Sequence, residues 1–175
     1  MSGLMMQAQL LPTLFPPSTF PPSVLVVNDP TDTCNLLCEA ISAAGYIVTP
    51  VKNANETLKH MKIIVPDIVL LDTTSPLIKG FELGRQIKST SAWAKIPILF
   101  MIEQANSSQI INSFESGGID YISKPLRIPE VLARLLTHVD TNIPNKQPNI
   151  QNKQPNIWSK HLQYHTELLT QCVDA

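Results

Sequence analysis

Three charged side chains occupy positions that suit phosphoryl chemistry. Asp72 comes directly after a short apolar run, and Asp29 and Lys124 each follow another such run after one intervening residue. Carboxylates are ligands for octahedral Mg²⁺, a carboxylate can act as a nucleophile, and an ammonium can pair with a phosphoryl oxygen. If the three side chains meet, they form a small cation and phosphoryl site. The competing interpretation is a surface salt-bridge cluster, because Asp and Lys are common on protein surfaces.

Two further pairs of residues are of types that can bind a metal ion, but their spacing alone is weak evidence for a metal site. Cys34 and Cys38 lie four residues apart, as do His161 and His165. Two thiols without a second pair make a poor zinc site, so we expect buried small apolar side chains for the cysteines and a solvated helix face for the histidines. An aspartyl phosphatase would need a second Asp at Thr74. We find no P-loop, no GxGxxG and no Ser-His-Asp order, and we expect no enzyme activity.

Alternating apolar and amphipathic stretches predict the elements that position these side chains. Apolar runs predict buried parallel strands at 24–27, 46–51, 67–71, 97–102 and 119–122. Amphipathic stretches predict helices at 31–44, 54–64, 82–90, 107–116 and 128–139, with Gly45 as a C-cap and Pro129 in the first turn of the last helix. This order predicts an α/β fold, a doubly wound five-stranded parallel sheet with helices on both faces. Its site lies at the carboxyl ends of the strands.

Composition limits the classes of partner. The 175 residues favour one domain with appendages. Thirteen basic and 14 acidic residues leave a net charge of −1, so no basic field favours direct nucleic-acid binding. Only 15% of residues are charged, which leaves a neutral polar surface suited to protein partners. Three cysteines, an odd number, indicate a reducing compartment, and we expect a cytoplasmic location.

Three flanking segments differ from the predicted domain at 23–140. Residues 1–22 contain five prolines and no charge, which predicts an extended or disordered arm rather than a signal peptide or membrane span. Met5, Leu10, Leu11, Leu14 and Phe15 in this arm remain available for docking. Residues 141–156 hold the tandem repeat NIPNKQP and NIQNKQP, which predicts a mobile linker. Residues 157–175 predict a C-terminal amphipathic helix with Trp158, Leu162, Leu169 and Cys172 near one face.

Three motifs carry a resemblance to a known family. They are VLVVND at 24–29, DTTSPLIKG at 72–80 and GGIDYISKPL at 117–126. Over roughly residues 23–140 the chain resembles the receiver domain of bacterial two-component response regulators, which has a flavodoxin-like fold. The ending VLARLLTHV at 131–139 also resembles the last receiver helix of multi-domain cyanobacterial sensory proteins.

The resemblance implies a role for each matching residue. Asp72 becomes the phosphate acceptor and Lys124 the partner of the phosphoryl group. Mg²⁺ is implied as the cofactor, with Asp29, Asp72 and the backbone carbonyl of Thr74 as its ligands. Tyr121 becomes the aromatic residue that rotates during switching. Pro125 is expected to follow a cis peptide bond.

Three residues depart from the family pattern. Asn28 replaces the first acid of the usual pair, which predicts weak or absent Mg²⁺ binding. Ile102 replaces the Ser or Thr that donates a hydrogen bond to the phosphoryl group, and Glu103 replaces a small residue. A hydrogen bond to a charged group contributes about 1.5–3 kcal/mol, whereas a full switch needs about 5.5 kcal/mol. The substitutions therefore predict poor coupling between phosphorylation and any conformational change.

Three functions remain under consideration. The first is a receiver that accepts a phosphoryl group on Asp72 from a histidine kinase or phosphotransfer protein. It would signal to a downstream protein through the face made by the fourth helix, fifth strand and fifth helix, without membrane contact. The second is a pseudo-receiver, a phosphorylation-independent interaction module. The third, a flavin protein, is disfavoured because Asn28, Asp29 and Pro30 would repel the flavin phosphate. A homodimer is compatible with any of them.

Overall fold

The computed structural model describes residues 21–140. The predicted linker and C-terminal helix, and all but the last two residues of the predicted arm, lie outside these residues. Five strands and five helices alternate along the chain. The strands are β1 Ser23–Val27, β2 Ile47–Val51, β3 Ile68–Asp72, β4 Ile98–Ile102 and β5 Asp120–Ser123; the helices are α1 Asp32–Ala43, α2 Ala54–Ile63, α3 Gly80–Ser89, α4 Ser107–Glu115 and α5 Ile128–Asp140.

The strands form one parallel sheet in the order β2-β1-β3-β4-β5. The predicted doubly wound α/β fold is therefore confirmed. The strand order reverses between β1 and β3, and in open α/β sheets a ligand crevice lies outside the carboxyl ends at such a point. This geometry places the ends of β1 and β3, and hence Asp29 and Asp72, beside one another.

Two apolar cores sandwich the sheet. Val24 and Val26 of β1 pack with α1 and α5, whereas Leu25 and Val27 pack on the other face with α2 and α3. Side chains alternate between the two faces of a strand, so a strand covered on both sides must be apolar throughout. For this reason β1, β3 and β4 appear in the sequence as continuous apolar runs.

Local capping explains where helices begin and end. The side chains of Thr31, Asn53 and Asn106 accept hydrogen bonds from the first turns of α1, α2 and α4. Gly45, expected at the C-cap of α1, lies one residue beyond the C-cap Ala44, and its φ of +98° suits glycine. The predicted boundaries are otherwise correct to within two residues.

Two boundary differences affect the site. Asp72 is the last residue of β3 rather than the residue after it. Helix α3 begins at Gly80, two residues earlier than predicted, and Gly80 packs closely on the end of β3. A Cβ atom at Gly80 would lie 2.2 Å from the carbonyl oxygen of Asp72, so no larger residue fits without a shift.

The amino edge of the sheet is fixed by paired hydrogen bonds. The backbone N–H and hydroxyl of Ser23 donate to Oδ2 of Asp67 at 2.7 and 2.9 Å, and the N–H of Asp67 donates back to Ser23 Oγ at 3.1 Å. The N–H of Ile47 donates to the carbonyl of Pro22 at 3.0 Å. At the outer edge of the sheet, β2 contains Pro50, which pairs in register with Val26. Across residues 21–140, no helix has the length and apolar character needed to cross a membrane.

Candidate functional site

A cleft of about 420 Å³ opens at the carboxyl edge of the sheet. It is bounded by the loops that follow β1, β3 and β5. The residues that line it are Asn28, Asp29, Thr31, Thr33, Asp72, Thr74, Lys124, Pro125 and Leu126. The sheet therefore brings together the two carboxylates and the lysine that the sequence suggested as a site.

Asp72 is the buried centre of this cleft, with 2% of its surface exposed. Its Oδ1 atom accepts hydrogen bonds from Lys124 Nζ at 2.9 Å and from the backbone N–H and hydroxyl of Thr74 at 2.9 and 2.8 Å. Lys124 Nζ also donates to Thr74 Oγ1 at 2.8 Å. These bonds all end on Oδ1, so Oδ2 is the oxygen that they leave for another partner.

Asp29 is held at the cleft by a residue that the sequence analysis missed. The hydroxyl of Ser75 donates to Asp29 Oδ1 at 2.9 Å, and Ser75 is itself buried. Thr73, directly after Asp72, donates its hydroxyl to the carbonyl of Met101 at 3.0 Å. The run of three hydroxyl residues after Asp72 was the available signal, because three consecutive short donors can anchor a loop to several acceptors.

The donor set fits a Mg²⁺ ion held partly through water. Asp29 and Asp72 line the same cleft, and Mg²⁺ commonly binds through one or two carboxylates while it keeps several waters. Asn28 is buried beside them but brings a neutral amide. Within residues 21–140, no group of three or more His, Cys, Asp or Glu side chains is arranged to hold a metal ion.

Lys124 is positioned by the end of β4 and by the proline after it. Its backbone N–H donates to the carbonyl of Ile102 at 2.7 Å. The Lys124–Pro125 peptide bond is cis, as the resemblance to receiver domains implied. The side chain of Lys124 reaches Asp72 across the cleft.

The end of β4 offers no side-chain donor to the cleft. Ile102 is completely buried in the core on the α2 and α3 side of the sheet, and Glu103 is exposed. Tyr121 of β5 is half-buried and packs against the same core. Its ring meets Phe114 of α4 edge-on, with centroids 6.3 Å apart and an interplanar angle of 86°.

An ion-pair network on α5 lies beside Tyr121. Arg134 contacts both Asp120 and Glu130, and His138 Nε2 lies 3.1 Å from Asp120 Oδ2. Burial acts to raise the pKa of Asp120. Hydrogen bonds with His138, the Tyr121 N–H and Arg134 outweigh it, so the pKa lies below its ordinary value. The carboxylate of Asp120 therefore anchors α5 to β5 in its ionised form.

Cys34 of α1 is buried, as expected, whereas Cys38 is only partly buried and packs against the same core. Burial raises the pKa of both thiols, and for Cys38 the charge and hydrogen bond of Cys34 add to the effect and raise it to about 12. The negative charges of Asp72 and Asp29 also raise the pKa of Cys34. His161 and His165 lie outside the described residues.

Comparisons of this chain with a family model, with related sequences and with solved structures all indicate the same family. A family model described as the response regulator receiver domain matches residues 24–136. Protein RcaC of Microchaete diplosiphon is 28% identical over 116 residues, which cover 66% of this chain and 18% of RcaC. A putative response regulator from Chloroflexus aurantiacus superimposes with a TM-score of 0.66 at 27% identity, covering 69% of this chain and 99% of that one.

A third similar protein shares the fold. The receiver domain of the sensor histidine kinase PA1611 from Pseudomonas aeruginosa, with a magnesium ion coordinated in its active site cleft, gives a TM-score of 0.63 at 21% identity. That match covers 69% of this chain and 99% of the PA1611 chain. Among eight curated relatives, the chain spans between 7% and 55% of the relative's length.

Proposed function

Because the chain belongs to the response regulator receiver family, we propose that it acts in two-component phosphorelay by accepting a phosphoryl group on Asp72. The observation that carries this proposal is the contact of 2.9 Å between Lys124 Nζ and Asp72 Oδ1 in a cleft that also holds Asp29. A buried carboxylate with one oxygen already paired is oriented for attack by the other.

The transfer step uses Asp72 as the nucleophile. Oδ2 attacks the phosphorus of a phosphohistidine donor, the P–N bond breaks and its electron pair stays on the imidazole, which takes up a proton. The product is an acyl phosphate on Asp72. Lys124 and the Thr74 hydroxyl stand within hydrogen-bond distance of the carboxylate and can donate to the phosphoryl oxygens.

Mg²⁺ would be held by Asp29, Asp72 and the carbonyl of Thr74. When bound, the ion supplies positive charge that neutralises the transferring phosphoryl oxygens. Asp29 is kept in place for this role by the hydroxyl of Ser75. Because Asn28 brings no charge, we propose that the ion binds weakly.

Partners follow from the same assignment. A histidine kinase or phosphotransfer protein would supply the phosphoryl group, and a downstream protein would bind the face of α4, β5 and α5. This face exposes Ile111, Phe114 and Ile119 beside the charged side chains of Glu130 and Arg134. The role is signalling rather than enzymatic turnover, and the proposed location is the cytoplasm.

A second candidate is a pseudo-receiver that binds partners without phosphorylation. The observation that favours it is the complete burial of Ile102 where the switch needs a hydrogen-bond donor. In that case the fold and the face of α4, β5 and α5 would serve recognition alone, and Asp72 would be a structural carboxylate paired with Lys124.

Intact-mass measurement tests the first proposal. Wild-type protein treated with acetyl phosphate and Mg²⁺ should gain the mass of one phosphoryl group, and the Asp72→Asn variant should gain none. Glu115→Gln, which changes an exposed carboxylate of α4 that does not line the cleft, is the matched control and should behave as wild type. Equal labelling of Asp72→Asn would overturn the assignment, and no labelling of wild type would favour the pseudo-receiver.

A further inference from the structure

The chain leaves the described domain at a well-defined point on the amino edge of the sheet. Ser23 is held to Asp67 by reciprocal hydrogen bonds, and the carbonyl of Pro22 accepts from the N–H of Ile47. The arm formed by residues 1–20 must therefore start between the beginning of β2 and the beginning of β3, next to both.

Four exposed apolar side chains surround this point, and we call them the amino-edge patch: Ile47, Ile63, Ile64 and Val65. Their exposed fractions are 53%, 82%, 54% and 56%. The last three are consecutive and end two residues before Asp67.

Ile47 lies on the same side of the sheet as the other three. Val48 packs on the core beneath α1 and α5, whereas Val51 packs on the core that includes Met61 of α2. Side chains alternate along a strand, so Ile47 shares the side of Val51. Helix α2 runs back along this face and ends at Ile63, at the edge where Ile47 begins β2. All four side chains of the patch therefore belong to the amino edge on the α2 side of the sheet, the edge at which the chain leaves the domain.

We propose that the N-terminal arm, residues 1–20, docks on the amino-edge patch of its own chain. Nine of these 20 residues are Leu, Met or Phe and none is charged, so the arm offers apolar contacts without any charge to desolvate. Prolines at 12, 16, 17, 21 and 22 restrict the unbound chain and so reduce the entropy lost on docking. This inference is independent of phosphorylation.

Geometry favours the arm over a second molecule. Leu14 and Phe15 are within nine residues of Ser23, a span of at most about 30 Å in extended chain, which covers the patch with slack. A short tether gives an effective concentration of roughly millimolar, above that of a free second copy in dilute solution. The arm therefore reaches the patch first.

Methyl NMR on the full chain tests the docking. In protein with ¹³C-labelled Ile methyl groups, the Leu14→Asp, Phe15→Asp double variant should shift the δ1 signals of Ile47, Ile63 and Ile64. Gln7→Asp with Gln9→Asp adds the same charge to the arm and keeps its apolar residues, so it should shift them much less. Spectra at two protein concentrations should coincide.

A reciprocal experiment changes the patch and measures how readily a protease cleaves the arm. Ile63→Ser with Ile64→Ser should increase the rate of chymotrypsin cleavage between Leu14 and Phe15 several-fold, while Leu36→Ser, on an exposed leucine of α1, should leave it unchanged. Unchanged methyl shifts of Ile47, Ile63 and Ile64 in the Leu14→Asp, Phe15→Asp double variant would overturn the proposal. Shifts that appear only as protein concentration rises would overturn it in favour of a second copy. Labelling of Asp72 should be unaffected, which separates this test from that of the proposed function.

Discussion

The guanidinium carbon of Arg134 lies 5.9 Å from the centre of the Tyr121 ring. Tyr121 is thus held between α5, through Arg134, and α4, through Phe114. A cation–π contact contributes about 0.5–1 kcal/mol at exposed sites, and an aromatic pair contributes about 0.5–1.5 kcal/mol. Any inward rotation of Tyr121 must overcome these contacts while Ile102 fills the adjacent core.

Removal of the Arg134 side chain should free the ring of Tyr121. We expect Arg134→Ala to shift the aromatic NMR signals of Tyr121 and to lower the free energy of unfolding by about 1–3 kcal/mol, since Asp120 loses a charged donor. Arg127→Ala, on an exposed arginine before α5, is the control and should change neither. An unchanged Tyr121 spectrum in Arg134→Ala would show that Arg134 does not position the ring.

A hydroxyl at position 102 should restore coupling. Ile102→Thr with Glu103→Ala supplies the missing donor and opens the cleft, so the variant should show larger NMR changes with beryllofluoride and Mg²⁺ across residues 102–139 than wild type. Ile102→Val with Glu103→Ala matches threonine in shape but cannot donate, and it should respond as wild type does. Broad changes already present in wild type would contradict the pseudo-receiver, and equal gains in both variants would make shape rather than hydrogen bonding the cause.

Lys124 should determine affinity for a phosphoryl mimic. A hydrogen bond to a charged group contributes about 1.5–3 kcal/mol, so Lys124→Gln should weaken beryllofluoride binding about 10- to 150-fold. Lys52→Gln, which removes a largely exposed lysine that pairs with Glu56 at 3.7 Å, should have little effect. Titration calorimetry or NMR gives both constants. Equal affinities for wild type and Lys124→Gln would exclude the lysine from the phosphoryl site.

Because the pKa of Asp120 is lowered in the folded protein, its contribution to the free energy of unfolding should decrease at acidic pH. A carboxyl group whose pKa is lower in the folded than in the unfolded state stabilises the fold above its unfolded value of 3.8, and this contribution is lost as pH falls through the lowered folded value. The stability difference between wild type and Asp120→Asn should therefore be constant above about pH 5 and shrink below about pH 4. Urea unfolding from pH 7 to pH 2.5 measures it. A difference between wild type and the variant that is independent of pH would contradict the shift.

The thiols of Cys34 and Cys38 should react slowly in the folded protein, because the pKa of each is raised. With the pKa of Cys38 raised from 9.0 to about 12, alkylation by iodoacetamide at pH 8 in a Cys172→Ser background should be at least about a hundredfold slower than in urea. Peptide mass spectrometry resolves Cys34 from Cys38. Rapid labelling of the folded protein would indicate that α1 opens readily.

The sequence was sufficient to predict the sheet, because fully buried strands such as β3 and β4 must be apolar along their whole length. It was also sufficient to place Asp29, Asp72 and Lys124 at one edge, since parallel strands end together. It could not show that Ser75 orients Asp29, because serine is common in loops and its partner is 46 residues away. Likewise, the contacts of Arg134 with Asp120 and Tyr121 arise only when α5 packs beside β5, and no local pattern encodes them.

Pro50 limits the ways in which copies of this domain can polymerise. The N–H of Ile47 and the carbonyl of Val51 bond towards β1, so by alternation the backbone of Pro50 faces the open edge, where proline has no hydrogen to donate. A second molecule adding a strand there would leave a carbonyl unmatched. Pro50 therefore opposes the stacking of copies, strand to strand, into fibrils. Strand β2 would otherwise be open to such pairing, because it is partly apolar and accessible to solvent.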